Sequence, residues 1–123
     1  MESHPRPSER ISTPVVTFDL TSELEALRAT DSYRHNDHAS TTLVNRPGFG
    51  VVLVALPQGG HLKDHRAGRG ISIQVLSGAV QLDLDQGTVR VRPGEVTALA
   101  PNLRHSVGAL EDSAFLLTMG GEA

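Results

Sequence analysis

From Ser40 to Met119 the chain alternates apolar and polar residues with a period of two, and Gly, Pro and Asn interrupt the alternation at short intervals. Thr41 to Val44 is a candidate strand, closed by Arg46-Pro47-Gly48. Val51 to Leu56 is a continuous apolar run, consistent with a buried strand. Gln58-Gly59-Gly60 breaks it. Ile71, Ile73 and Val75 alternate with Ser72 and Gln74 until Gly78 intervenes. Val80, Leu82 and Leu84 alternate with Gln81, Asp83 and Asp85, and Gln86-Gly87 has the character of a hairpin turn. Val89 and Val91 follow, then Pro93-Gly94. Val96 to Ala100, His105 to Ala109 and Ala114 to Met119 complete the series. Short strands separated by turns at about 8–12 residues are the mark of an all-β sandwich or barrel. No second helix of crossover length is visible, which argues against a parallel sheet.

Before Ser40 the pattern is different. Leu20, Leu24 and Leu27 recur at intervals of four and three, so they share one face of a helix. Ser22 and Glu25 have the spacing of a capping box, which places the helix start at Ser22 and its end near Ala29 to Asp31. Val15, Val16 and Phe18 predict a short strand ahead of it. Met1 to Pro14 is polar, contains prolines and reads as a flexible arm.

Composition narrows the class. A chain of 123 residues buries one core. Three Phe, one Tyr and no Trp make that core aliphatic. The formal net charge of −3 argues against a nucleic-acid partner and against a polybasic membrane contact. The absence of cysteine excludes disulfides, thiolate nucleophiles and sulfur-ligated metal, and fits a reducing compartment. The N-terminus has no apolar signal-peptide core. The longest apolar run, Val51 to Pro57, is far shorter than the ~20 residues that span a bilayer. These features predict a cytoplasmic protein with no membrane partner.

Two stretches carry a resemblance. Gly59 is followed by His65, Ala67, Ile71 and Gly78. Gly94 is followed by Ala100, Asn102, His105 and Ala109, with Pro101 one place late. In these two stretches the chain resembles the small cupins of the RmlC-like superfamily. The first cupin motif sets Gly, His, His, Glu and Gly at the spacing of Gly59, His65, Ala67, Ile71 and Gly78. The second sets Gly, Pro, Gly, His and Asn at the spacing of Gly94, Ala100, Asn102, His105 and Ala109. The resemblance covers about residues 43–118. It implies an all-β fold, the cupin double-stranded β-helix or jelly-roll barrel, with one short N-terminal helix. The resulting division is an arm over 1–14, a strand, helix and loop extension over 15–39, and a cupin β-barrel over 40–120.

The resemblance also implies a metal site with part of its ligands replaced. Cupins hold one divalent ion with three histidines and a carboxylate. Here the second His position is Ala67 and the Glu position is Ile71, and neither side chain has a lone pair to give. His65 and His105 remain as candidate metal ligands. His61 lies an even four residues before His65, an interval that puts both on one face of a regular strand and makes His61 a candidate third ligand, although beside Gly60 its plainer reading is a solvated turn residue. Ala67, Ile71, Ile73 and Ala109 are the expected apolar pocket walls. A site of imidazole with carboxylate suits Fe, Mn, Ni or Zn. With fewer donors, no cofactor is assigned and one divalent metal stays as the alternative.

Other residues have plainer readings. His35, Asp37 and His38 form a polar loop that is able to reach the barrel mouth of this or a neighbouring subunit. Arg66 and Arg69 flank the pocket loop as surface charges or as anion contacts. Asp83 and Asp85 are exposed strand residues. No Gly-x-Ser-x-Gly elbow is present, so a nucleophilic triad is unsupported.

Three functions follow. The first is a binder of a small molecule held in the barrel beside a degenerate His65/His105 site. The alternative is a metal-dependent cupin enzyme, an oxygenase or isomerase, using His65, His105 and a non-standard third ligand. The third is metal-free acid–base catalysis by His65 or His105, because imidazole titrates close to neutrality. Homodimerisation is expected in each case, by analogy with small cupins and because sheet edges invite a partner strand.

Overall fold

The computed structural model describes residues 14–65 and 67–121, with side chains throughout that range except at positions 64 and 65. Within this range two short helices precede nine strands. Helix α1 is Leu20–Arg28 and α2 is Asp31–His35. The strands are β1 (Ala39–Arg46), β2 (Phe49–Leu56), β3 (His61–His65), β4 (Gly70–Ser77), β5 (Val80–Leu84), β6 (Gly87–Val91), β7 (Val96–Leu99), β8 (His105–Ala109) and β9 (Ser113–Gly120). They form two antiparallel sheets, one ordered β1-β2-β9-β4-β7 and the other β3-β8-β5-β6. This is the expected all-β jelly roll, a double-stranded β-helix.

The N-terminal region corrects three expectations. Residues 16–19 form no strand. The helix begins at Leu20 because Asp19, not Ser22, caps it: the Asp19 carboxylate accepts from the Thr21 and Ser22 amides and from the Ser22 hydroxyl. A second helix follows at once, because the Thr30 hydroxyl accepts from the Tyr33 amide and starts a new turn. The arm expected over 1–14 lies, apart from Pro14, outside the described residues.

Strand periodicity divides the apolar residues between two compartments. Val54, Leu56, Ile73, Val75, Val80, Leu82, Val91, Val107, Ala109 and Phe115 fill the space between the sheets. Leu53, Ala55 and Leu43 point the other way and pack with Leu27, Leu24 and Leu20 of α1. Strand β2 is therefore covered on both faces, which is why Val51 to Leu56 reads as an unbroken apolar run. Among the described residues no helix is long and apolar enough to cross a membrane.

The inward side chains stack in rows from one end of the barrel to the other. At one end Gly50, Met119, Ile71 and Leu99 lie side by side across β2, β9, β4 and β7. On the facing sheet the same level holds His105 and Leu84, paired on neighbouring strands. One level deeper stand Val52, Leu117, Ile73 and Thr97, facing Leu62, Val107 and Leu82. The third level, with Phe115, Val75 and Val80, is solid core. The far end is closed by Ser113, whose buried hydroxyl accepts from the Ala79 amide at 3.0 Å and lies 2.7 Å from the Glu111 carbonyl.

Candidate functional site

A cavity of about 170 Å³ lies between the first and second rows. Strand β9 contributes Phe115, Leu117 and Met119, β8 contributes His105 and Val107, and β3 contributes Leu62. Ile71 at the start of β4 and Ala67 in the loop before it complete the wall. Among these residues His105 alone has a side-chain nitrogen or oxygen. The site is an apolar pocket with one imidazole.

His105 is 4% exposed. Its Nδ1 lies 3.1 Å from the Leu103 carbonyl oxygen. A carbonyl only accepts, so Nδ1 carries the proton and donates it, which leaves the lone pair of the neutral ring on Nε2. A backbone bond of this type fixes both tautomer and ring orientation. His65 is the residue directly opposite His105 in the β3–β8 ladder. The two motif histidines thus occupy adjacent strands at one level, at the open end.

The loops at this end are tied together. The Asn102 amide donates to the Ala67 carbonyl at 2.7 Å. Asn102 stands in the motif's glycine place and has a φ of 64°, a left-handed backbone that asparagine tolerates better than most residues.

The other expected site residues divide. Ala67 and Ile71 line the cavity. Ile73 and Ala109 do not: both belong to the packed core. His61 is not on the inner face. Between Leu62 and His65 the ladder slips by one residue, a β-bulge, so even spacing no longer means one face. His61 instead pairs with Gly108, and its ring lies over that glycine on the outside of the sheet, 3.3 Å from where a Cβ would stand. The loop that carries His38 is not at the mouth of this barrel. His38 donates to the Asp37 carboxylate at 3.2 Å, and the Asp37 carbonyl lies against Gly60 at the opposite end of the barrel. Arg66 lies outside the described residues.

The sequence reading missed Leu62, Val107, Phe115, Leu117 and Met119. The signal was present in β9, where 115, 117 and 119 share one face by strict alternation, and in β8, where Val107 shares a face with His105.

The two motif positions that would complete the ligand set are filled by Ala67 and Ile71, both on the cavity wall, and no group of three His, Cys, Asp or Glu side chains is assembled among the described residues.

A jelly roll whose pocket opens between β3, β4, β8 and β9 and is faced by a β8 histidine is a cupin barrel. Comparison with solved structures agrees. A conserved protein of unknown function from Streptococcus pyogenes is 28% identical, with 72% of this chain and 79% of that one covered at a TM-score of 0.66. A cupin superfamily protein from Desulfitobacterium hafniense is 14% identical, with 69% and 78% covered at 0.66. The polyketide cyclase RemF from Streptomyces resistomycificus is 24% identical, with 68% and 65% covered at 0.61. At such identities the last two show the fold alone. No protein-family model matches the sequence, and no curated protein does. The chain has the fold of these proteins, a cupin-type jelly-roll barrel.

Proposed function

We propose that this protein binds a small, largely apolar molecule inside the barrel, with His105 orienting it. The observation that carries the reading is the cavity itself: seven of its eight lining residues have no side-chain nitrogen or oxygen, and the eighth is a buried histidine held in one tautomer. Ligand pockets have this composition, with apolar walls for affinity and few polar groups for orientation. The fit is to a binder, because the residues that would make a complete cupin metal centre are an alanine and an isoleucine.

Native mass spectrometry of freshly purified protein tests this. A small organic adduct, lost on solvent extraction and retained roughly fivefold less well by His105→Phe, is the expected result, since one hydrogen bond is worth about 1 kcal/mol. Protein that carries no adduct and takes up none from a cell extract sinks the reading.

The register of His65 opposite His105 favours one second reading, a metal-dependent enzyme that draws its further ligand from elsewhere. Elemental analysis decides between them. Stoichiometric Fe, Mn, Ni or Zn that is lost in His105→Ala supports the enzyme and counts against the binder.

A further inference from the structure

Inside its open mouth the cavity has room for about one ring. A dry cavity of about 150 Å³ lined by leucine, isoleucine and phenylalanine holds benzene or xenon. The present one measures about 170 Å³ and has the same kind of wall. A charged group placed there would lose its hydration and meet no opposite charge on the described walls beyond what the imidazole offers.

One flexible residue borders this space at its mouth. Met119 stands in the row nearest the mouth, between Gly50 on β2 and Ile71 on β4. Its terminal methyl rests on Gly50, 3.1 Å from where a Cβ would be, so the missing side chain is what seats it. Methionine is unbranched and flexible, and it adapts to irregular gaps. With its methyl over Gly50 the side chain lies against β2 while still lining the pocket. Anything that fills the seat pushes it back.

We infer that the ligand is a neutral molecule about the size of a single six-membered ring, and that Met119, seated on Gly50, is the residue that sets this upper size. The inference rests on the barrel being a small-molecule site, as proposed above.

The test uses the full chain and the probes phenol, 4-methylphenol, 4-propylphenol and benzoate. Met119 is the sole methionine besides Met1, so ¹³C-methyl labelling gives one internal signal. The Ile71 methyl, labelled separately, reports on variants that lack Met119. Phenol is expected to shift both signals saturably. 4-Propylphenol and benzoate are expected to bind about tenfold more weakly or worse, the scale on which a hydrophobic pocket rejects surplus atoms. Met119→Ala should remove the discrimination against 4-propylphenol. Gly50→Ala should move the Met119 methyl signal and weaken phenol about tenfold. Where Met119→Ala does not fold, Met119→Val carries the same test. Equal binding of phenol and 4-propylphenol by the unaltered chain overturns the size limit and leaves the binding role standing. Tighter binding of benzoate than of phenol overturns the neutrality of the ligand. If no probe moves either methyl signal, both this inference and the binding role fall.

Discussion

The backbone amide of Asn102 donates to the carbonyl of Ala67 across the open end of the barrel, at 2.7 Å. The two residues come from the two cupin-like stretches, thirty-five positions apart, and their bond joins the loop before β8 to the loop after β3. It holds Ala67 against the cavity while His105 follows three residues behind Asn102.

That bond depends on a left-handed residue at position 102. Asn102→Gly should keep both the conformation and the stability. Asn102→Val should cost about 1–2 kcal/mol, because a β-branched side chain crowds its own carbonyl at a φ of 64°. Urea denaturation measures the difference. Equal midpoints for the two variants would show that the loop conformation is not what matters there.

Ala67 and Ile71 occupy motif places on the cavity wall, so the lost ligands are replaceable in principle. The double variant Ala67→His, Ile71→Glu should gain at least about tenfold in Ni(II) affinity over the unaltered chain by calorimetry, since each added donor closes the coordination sphere. Ile71 is 5% exposed, and a carboxylate there without a counter-charge is destabilising. The variant should therefore melt lower than the parent without metal and recover with it. No gain in affinity would mean that these side chains do not converge on His105.

The closed end is packed more tightly. Gly78 has a φ of 79°, and a Cβ on it would collide with the Asp112 carbonyl and the Ser113 hydroxyl. Gly78→Ala should cost roughly 2–4 kcal/mol from strain and displacement together. Ser113→Ala should cost less, about 1–3 kcal/mol, by removing the acceptor of the Ala79 amide. Thermal melts of the two variants should fall in that order. A harmless Gly78→Ala would show that the β4–β9 corner has room to relax.

His61 lies outside the barrel, over Gly108. His61→Ala should leave any cavity-bound molecule or metal untouched, whereas His105→Ala should remove it. Native mass spectrometry of the two variants side by side is sufficient. Loss of occupancy in His61→Ala would place that ring on the inside.

Much of this protein is legible without a structure. Alternation located nearly every strand because each presents one face to a single interior, and a period of two survives wherever that holds. Two glycine-and-histidine stretches in correct spacing pointed to the cupin barrel. The absence of donors at Ala67 and Ile71 needed only their identities. The helix start was misread because Asp19 and Ser22 are both good caps, and only the backbone shows which amides lack a partner.

What alternation cannot carry is a change of phase. Leu62 and His65 are separated by a bulge, and that single extra residue turns His61 outward and Leu62 inward, so the ligand reading of His61 fails and the solvated one stands. Nor does a strand pattern give depth: Ile71 and Ile73 share a face, yet the first lines the cavity and the second is buried core. The sequence by itself determined the architecture, the two motif histidines and the lost ligands, because those follow from local residue type and spacing. Register, bulges and the level of each row along the barrel decided which residues meet at the pocket, because they arise only when strands far apart in the chain are laid side by side.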